Sequence, residues 1–453
     1  MNFELTDDFL DQLRDVISTE NKEKTLELIE KLHPADIAEM FDEISIDDAK
    51  YIYLLLEKEI AADVFVELED DLRDKFLKIL PSEVIAKQLI HNIESDDAAD
   101  IIGELSEKKQ EEVLSQIHDR EQAGDIVDLL NYDEDTAGGV MAKELISVNE
   151  NSDVQSCIEE IRRQAENIEH IYNVYVVDDN NILKGLLSLK RLVVSSPSTK
   201  IATICTPDVM SVRVDKPADE VGIIMQKYDL VSIPVVDSIG RLLGQITIDD
   251  IVEVMREEAE KDYQMISGIS EDVEHSDSPW LLTRARLPWL LIGLIGGIIG
   301  SRVIAYYEVD LGIYPEMIFF LPLIAAMGGN VGVQSSAIIV QGLANNSITN
   351  VRTINKLSKE FLVAFINGIV CSSLIFAYNY FVSDTFILTV TVSVALFAVI
   401  IFASLFGTFV PLALNRFKID PALATGPFIT TVNDIMGLFI YLLAGRILFS
   451  LFA

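Results

Sequence analysis

The sequence predicts a multidomain chain: an α-helical superhelix, a pair of small α/β units, a long acidic connector helix and an all-α bundle of five membrane-spanning helices. Three observations carry this reading. Charge is confined to one part of the 453 residues. Of 72 acids and 35 bases, residues 280–453 hold 7 and 9, which leaves 65 acids (72 less 7) and 26 bases (35 less 9) in residues 1–279. A strand–turn–strand–helix pattern recurs at a spacing of 59 residues, seen in Gly185 and Gly244 and in Val177 and Val236. Five apolar stretches near the C-terminus are each long enough to cross about 30 Å of hydrocarbon.

Residues 1–137 read as an acidic helical domain. Apolar residues recur at helical spacing in Ile37, Met40, Phe41 and Ile44 and again in Val84, Ile85 and Leu89. Similar helix starts recur at His33, Leu80 and Ser95, with Pro34 and Pro81 suited to a first turn and Ser95 or Asp96 to an N-cap. Asp96 and Asp100 lie four apart, on one helical face. Capping with a solvated face explains such a pair, and so does a weak divalent-cation site shared with another domain.

Residues 138–262 hold the duplicated unit. Strands are expected at Val174–Asp178 and Ile233–Asp237, each followed by a turn, a second strand and a helix. From Thr247 the chain reads as one helix, with Ile251, Val254 and Met255 on one side and Asp250, Glu253, Glu257, Glu258 and Asp262 on the other. Residues 247–279 thus form an acidic connector, broken by EDVEHSDSP before the membrane.

Residues 280–453 carry the spans, at about 287–307, 315–342, 360–382, 386–413 and 421–450. Arg284, Arg286, Arg352, Lys356, Lys359, Arg416 and Lys418 flank them on one side, which predicts a cytosolic N-terminus and an external C-terminus. Asp434 interrupts the fifth span. An ionised Asp near a bilayer centre costs roughly 2.5–3.5 kcal/mol on insertion scales, so such a residue points to a cation path. Gly328, Gly329, Asn330 and Gln334 in the second span, with Gly426, Pro427, Thr431 and Asn433 around Asp434, are candidate pore-lining residues. Interhelical hydrogen bonding is the alternative for the second-span amides. The acidic balance argues against nucleic acid. The three cysteines, Cys157, Cys205 and Cys371, suggest a reducing setting, and the N-terminus shows no signal-peptide pattern. The five histidines form no ligand cluster and no nucleophile constellation is evident, so an enzyme is not expected.

The duplicated unit resembles a CBS-domain pair, a regulatory module that often binds adenine nucleotides. Such modules commonly hold the ribose with an Asp after the second strand. The second copy has Asp250 there and the first has Lys190-Arg191. ATP binding and a pair used for dimerisation and cation sensing therefore both remain open.

Nearly the whole chain resembles the MgtE family of magnesium channels and transporters. The matching stretches are SDDAAD, TAGGVM at Thr136–Met141, the CBS pair, GGNVGVQS, DPALATGPFITTVND at Asp420–Asp434, and GLFIYL. The resemblance implies a homodimer in the plasma membrane, with a pore lined by the second and fifth spans and hydrated Mg²⁺ held by Asp434 of both subunits. It further implies cytosolic Mg²⁺ positions at Asp63, Asp96, Asp100, Gly139, Asp219, Gln226, Asp229, Asp250, Glu253, Glu258, Asp262 and Asp420. The match at Asp63 needs a one-residue insertion. Lys261 departs from an expected acid, and Gly426 stands where some relatives have Asn. The function implied is Mg²⁺ import down its gradient, closed when intracellular Mg²⁺ bridges the acidic domains. A broader divalent transporter (Co²⁺, Mn²⁺, Ni²⁺) and a membrane-anchored CBS sensor without transport are the alternatives.

Overall fold

The computed structural model describes residues 5–19, 21–165, 168, 170–271, 273, 278–344, 353–383, 385–424 and 426–452. Packing divides the chain into two units, Met1–Glu257 and Glu258–Ala453.

The first unit opens with a run of short helices between Asp7–Ser18 and Arg120–Leu129. Polar side chains set their starts. Thr6, Asn21, His33, Ser45 and Asp119 each accept a backbone N–H from the following turn, and at His33 the cap is closed by Pro34 and Asp36. The helix Ser95–Gly103 has Glu94, not Ser95 or Asp96, at its N-cap position, and the Glu94 side chain makes no capping hydrogen bond. The Ser95 N–H is taken instead by Glu144 (3.2 Å), which also accepts from Ser95 Oγ (2.6 Å).

Phe41, Tyr53, Phe65 and Phe76 pack in the core with ring centroids 5.4–6.3 Å apart, Phe41 stacked on Phe76 and the other pairs edge to face. The apolar core then runs without interruption from Leu13 and Ile102 into Met141, Val221, Ile246 and Ile251. The helical array and the second α/β copy thus share one core.

The duplicated unit forms two sheets. One is ordered β1 (Ile146–Asn149), β2 (Val174–Val177), β3 (Leu183–Leu187) and β4 (Thr206–Pro207). The other is ordered β5 (Val212–Arg213), β6 (Ser232–Val236) and β7 (Leu242–Thr247). In each sheet a parallel pair leads into an antiparallel hairpin, β2–β3 and β6–β7. Asp178 and Asp237 make the same turn, each accepting two backbone N–H groups with one carboxylate oxygen. Leu183 N bonds Gly240 O and Leu242 N bonds Asn181 O, so the two hairpins meet reciprocally.

The connector helix runs from Ile248 to Ile266. Gly222 leaves room for Ile251 and Met255 at its start.

In the second unit five helices are long and apolar enough to cross a membrane: Pro279–Tyr306, Pro315–Leu343, Ile354–Val382, Phe386–Arg416 and Gly426–Leu451. The first begins earlier than its apolar run, capped by Ser278, and carries Pro288 inside it. The third, likewise, includes Lys356, Lys359 and Glu360. Such charges dilute the hydropathy of a span end without ending the helix. Most of EDVEHSDSP, and the base Arg352, fall outside the described residues. The fourth span is the most buried and packs on the second, third and fifth. The first leaves Leu290, Leu294, Ile295 and Ile298 exposed, a face suited to lipid.

Candidate cation site

Acids stand in unusual surroundings in both units.

In the membrane unit, Asp434 lies eight residues inside the fifth span, about 12 Å along its axis. It is half-buried against the second span. A Cβ built on Gly329 would come within 3.4 Å of Asp434 Oδ1 and 3.0 Å of Thr430 Cγ2. The glycine therefore lets the second span close onto the carboxylate. Among the described residues Asp434 has no hydrogen-bond or ion-pair partner.

The other candidates divide by face. Asn330 and Gln334 are exposed on one stripe of the second span, while Gly328 and Gly329 are buried. Asn433 is 1% exposed and packs on Gly332, with both its amide atoms unpaired. The Thr431 methyl fills the notch at Gly296 of the first span. Asn433 and Thr431 thus sit in helix–helix contacts of this subunit.

At the start of the fifth span, Gly426 has φ +46° and its α-carbon faces the Ile266 carbonyl, where a Cβ would stand 2.2 Å away. Pro427 packs on Gly268. The end of the connector helix therefore touches the first residues of the span that carries Asp434. Beside this contact Asp262 and Asp420 face each other. Burial, with the charges of Asp420 and Glu258, pushes the Asp262 carboxyl up to about 6. Asp420 Oδ1 accepts from Ala422 N at 2.8 Å.

In the first unit, Glu94, Asp96, Asp97 and Asp250 crowd where the helical array meets the second α/β copy. Burial, with Glu144 and Asp250, pushes Glu94 up to about 8. Burial, then Asp250 and Glu253, pushes Asp97 up to about 7. Asp96 is 6% exposed with Oδ1 unpaired, and burial and Asp250 hold it well above the usual carboxylate range. Burial raises Asp250 too, against two hydrogen bonds from Thr247 N (3.0 Å) and Oγ1 (2.6 Å). Sequence reasoning named Asp96, Asp250 and Glu253 but not Glu94, Asp97 or Glu144. Glu144 lies 49 residues from Ser95, and no local pattern pairs them.

Glu253 and Asp100 stand beside Asp97, and the other expected residues are dispersed. Asp63, Asp100, Asp219, Gln226, Asp229, Glu253 and Glu258 are exposed. Asp219 and Asp229 stand at opposite ends of the helix Ala218–Tyr228, about 15 Å apart, too far to share an ion. Asp229 is left-handed (φ 52°) and ends that helix. Gly139 is pressed against the backbone of Asp133 and Glu134, where a Cβ would come within 2.6 Å. Among the described residues no three Asp, Glu, His or Cys side chains converge closely enough to cage a bare ion. Oxygens at this looser spacing suit a cation that keeps its water.

Five apolar spans, the last carrying a carboxylate with no partner among the described residues, follow an acid-rich helical array and a duplicated α/β unit, and together they define a multi-pass membrane protein of the divalent-cation transporter class. Residues 321–444 match the family model "MgtE: Divalent cation transporter", residues 32–135 match the MgtE intracellular N domain, and residues 137–196 and 201–257 match CBS domains. The chain is 32% identical to magnesium transporter MgtE of Thermus thermophilus, covering 93% of this chain and 94% of that one. It is 30% identical to magnesium transporter MgtE of Bacillus subtilis, covering 91% of each. Among solved structures it resembles the soluble part of a magnesium transporter (30% identity, TM-score 0.50, 56% of this chain and 98% of that one). It also resembles the cytosolic domain of the Mg²⁺ channel MgtE in complex with ATP (32% identity, TM-score 0.51, 54% and 99%). This chain belongs to the MgtE family.

Proposed function

We propose that this protein is a Mg²⁺-selective channel or transporter that admits the ion down its electrochemical gradient and closes when Mg²⁺ binds its acidic soluble region. The observation that carries the reading is Asp434, a carboxylate well inside the fifth span with no partner among the described residues, set against the glycine face of the second span. The name magnesium transporter, borne by relatives aligned over nearly the full chain, supports Mg²⁺ as the cargo.

The exposed stripe of Asn330 and Gln334 supports a homodimer, because polar groups at membrane depth belong against protein or a water-filled path. Two Asp434 side chains about 8 Å apart repel by roughly 2 kcal/mol at an effective dielectric near 20, and a hydrated dication between them reverses the sign. Basic flanks on one side of the spans support a cytosolic N-terminus and an external C-terminus in the plasma membrane.

Closure follows from the acids upstream. With no divalent ion, ionised Glu94, Asp96, Asp97 and Asp250 repel one another across the contact between the helical array and the second α/β copy. A bridging Mg²⁺ favours the docked arrangement. The connector helix begins at this cluster, in Asp249 and Asp250, and ends at Gly426 and Pro427. One weak site at ten times its dissociation constant contributes about 1.4 kcal/mol, so a few such sites make a switch. A relative's cytosolic domain is known in complex with ATP, which supports a nucleotide at the CBS pair of this chain.

The test is Mg²⁺ uptake into proteoliposomes. Wild type takes up the ion and Asp434→Ala does not. Undiminished Mg²⁺ flux in that variant contradicts the assignment.

A further inference from the structure

A second acid lies within a span. Glu360 belongs to the third span, and its Oε1 accepts from two hydroxyls on two other spans: Ser335 Oγ of the second at 2.7 Å and Ser404 Oγ of the fourth at 2.5 Å. The two hydroxyl oxygens are themselves 3.0 Å apart. Both serines are buried, at 5% and 2% exposure. One carboxylate thus ties three helices together at a single point.

What that point holds in place can be followed residue by residue. One turn from Ser335 and Ser404 the second and fourth spans cross at Gly332 and Gly407, so closely that a Cβ on Gly407 would lie 2.4 Å from Gly332 O. On another side of Gly332 sits Asn433, whose Nδ2 would lie 1.9 Å from a Cβ built there. Asn433 precedes Asp434. One turn further along the second span, Gly329 faces Asp434 Oδ1. The second span therefore reaches the Asp434 carboxylate through contacts with no slack, and the Glu360 tie fixes its position against the fourth. Two hydrogen bonds from buried hydroxyls on two different helices give the tie direction as well as strength.

We propose that Glu360 is a positioning residue for ion discrimination. By accepting the Ser335 and Ser404 hydroxyls it sets the distance between the second span and Asp434, and so the size of hydrated divalent ion the site accepts. This rests on the reading of Asp434 as the ion site. A looser tie lets Gly329 move away from Asp434, and a wider site discriminates less against a larger dication such as Ca²⁺. A site has to be held to within about half an ångström of its working geometry, and a missing supporting contact leaves it about 1 Å too loose.

The experiment measures Mg²⁺ and Ca²⁺ flux separately in proteoliposomes for wild type, Glu360→Leu, Glu360→Gln, the double variant Ser335→Ala/Ser404→Ala, and Asp434→Ala. Glu360→Leu and the double serine variant should lower the Mg²⁺:Ca²⁺ flux ratio about tenfold, the size of one lost hydrogen bond. Glu360→Gln keeps a carbonyl that accepts both hydroxyls, and should hold the ratio near wild type. If Glu360→Leu fails to assemble, the serine pair, which removes only two oxygens, decides. An unchanged ratio in the serine variant with Mg²⁺ flux intact overturns the proposal. So does Glu360→Gln falling as far as Glu360→Leu, since that assigns the effect to charge and not to hydrogen-bond acceptance. Undiminished flux in Asp434→Ala overturns the ion-site reading itself, an outcome distinct from both.

Discussion

In the membrane unit Asp434 stands half-buried with no protein partner among the described residues, whereas in the first unit Glu94, Asp96, Asp97 and Asp250 share one crowded contact. The residues around them differ in the same way. Asp434 is framed by glycine, threonine and close-packed backbone, which fix one geometry. The acid cluster is framed by other acids, whose mutual repulsion makes the contact conditional. A single charge on a rigid frame suits recognition, and several coupled charges across a domain contact suit sensing.

The largest effect should come from the rigid side. Gly407→Val sets a side chain against the Gly332 backbone, with no flexible atom to give way. Overpacking costs about 1–3 kcal/mol where side chains can adjust, and more against backbone. The purified variant should lose its monodisperse peak in size-exclusion chromatography. A wild-type elution profile and melting temperature would show that the crossing is softer than drawn.

The conditional side should show itself through pH. Glu94 and Asp97 have folded-state values of about 8 and about 7, above their ordinary values of 4.5 and 3.8. The docked state therefore binds more protons than the undocked one between those limits, and its stability falls as pH rises from about 4 to 8. Mg²⁺ should cancel that fall. Hydrogen exchange in the helix Ser95–Gly103, measured without divalent ions, should speed up from pH 6 to pH 8.5 beyond the intrinsic rate change, and 10 mM Mg²⁺ should suppress the excess. Equal protection at both pH values sinks the idea.

Gly426→Ala tests the junction between the two regimes. The left-handed conformation costs a residue with a Cβ about 1–2 kcal/mol, and the added atom meets the Ile266 carbonyl. Flux through this variant should respond to a higher internal Mg²⁺ concentration than wild type needs. A smaller effect is expected at Ser95→Ala. This change removes the hydroxyl that bonds Glu144 and accepts from Lys143 N, at a cost of about 1 kcal/mol. The melting midpoint with Mg²⁺ present should fall by a few degrees.

The contrast also explains what could be read from the chain alone. Asp434 was legible because a charge in an apolar run has no local explanation, and the α/β pair because a repeat announces itself. Glu360 was not. It lies where the third apolar stretch begins, so its depth depends on the helix starting earlier than hydropathy suggests. Glu94 and Glu144 were hidden for the opposite reason. Among 65 acids in residues 1–279 nothing local distinguishes the few that fold brings together. Asn433 and Thr431 were legible as polar residues near Asp434, but their direction was not, because helix rotation is fixed by packing partners such as Gly332 and Gly296.

The division of labour between one selecting carboxylate and many sensing ones is tested most directly by Mg²⁺ flux as a function of Mg²⁺ on the cytosolic side. The comparison uses wild type, Asp434→Asn and Asp96→Asn/Asp250→Asn in oriented proteoliposomes. Wild-type flux is expected to fall as internal Mg²⁺ rises, Asp434→Asn to carry no flux at any concentration, and the double variant to conduct without shutting off. Shut-off in the double variant at the wild-type concentration would contradict it.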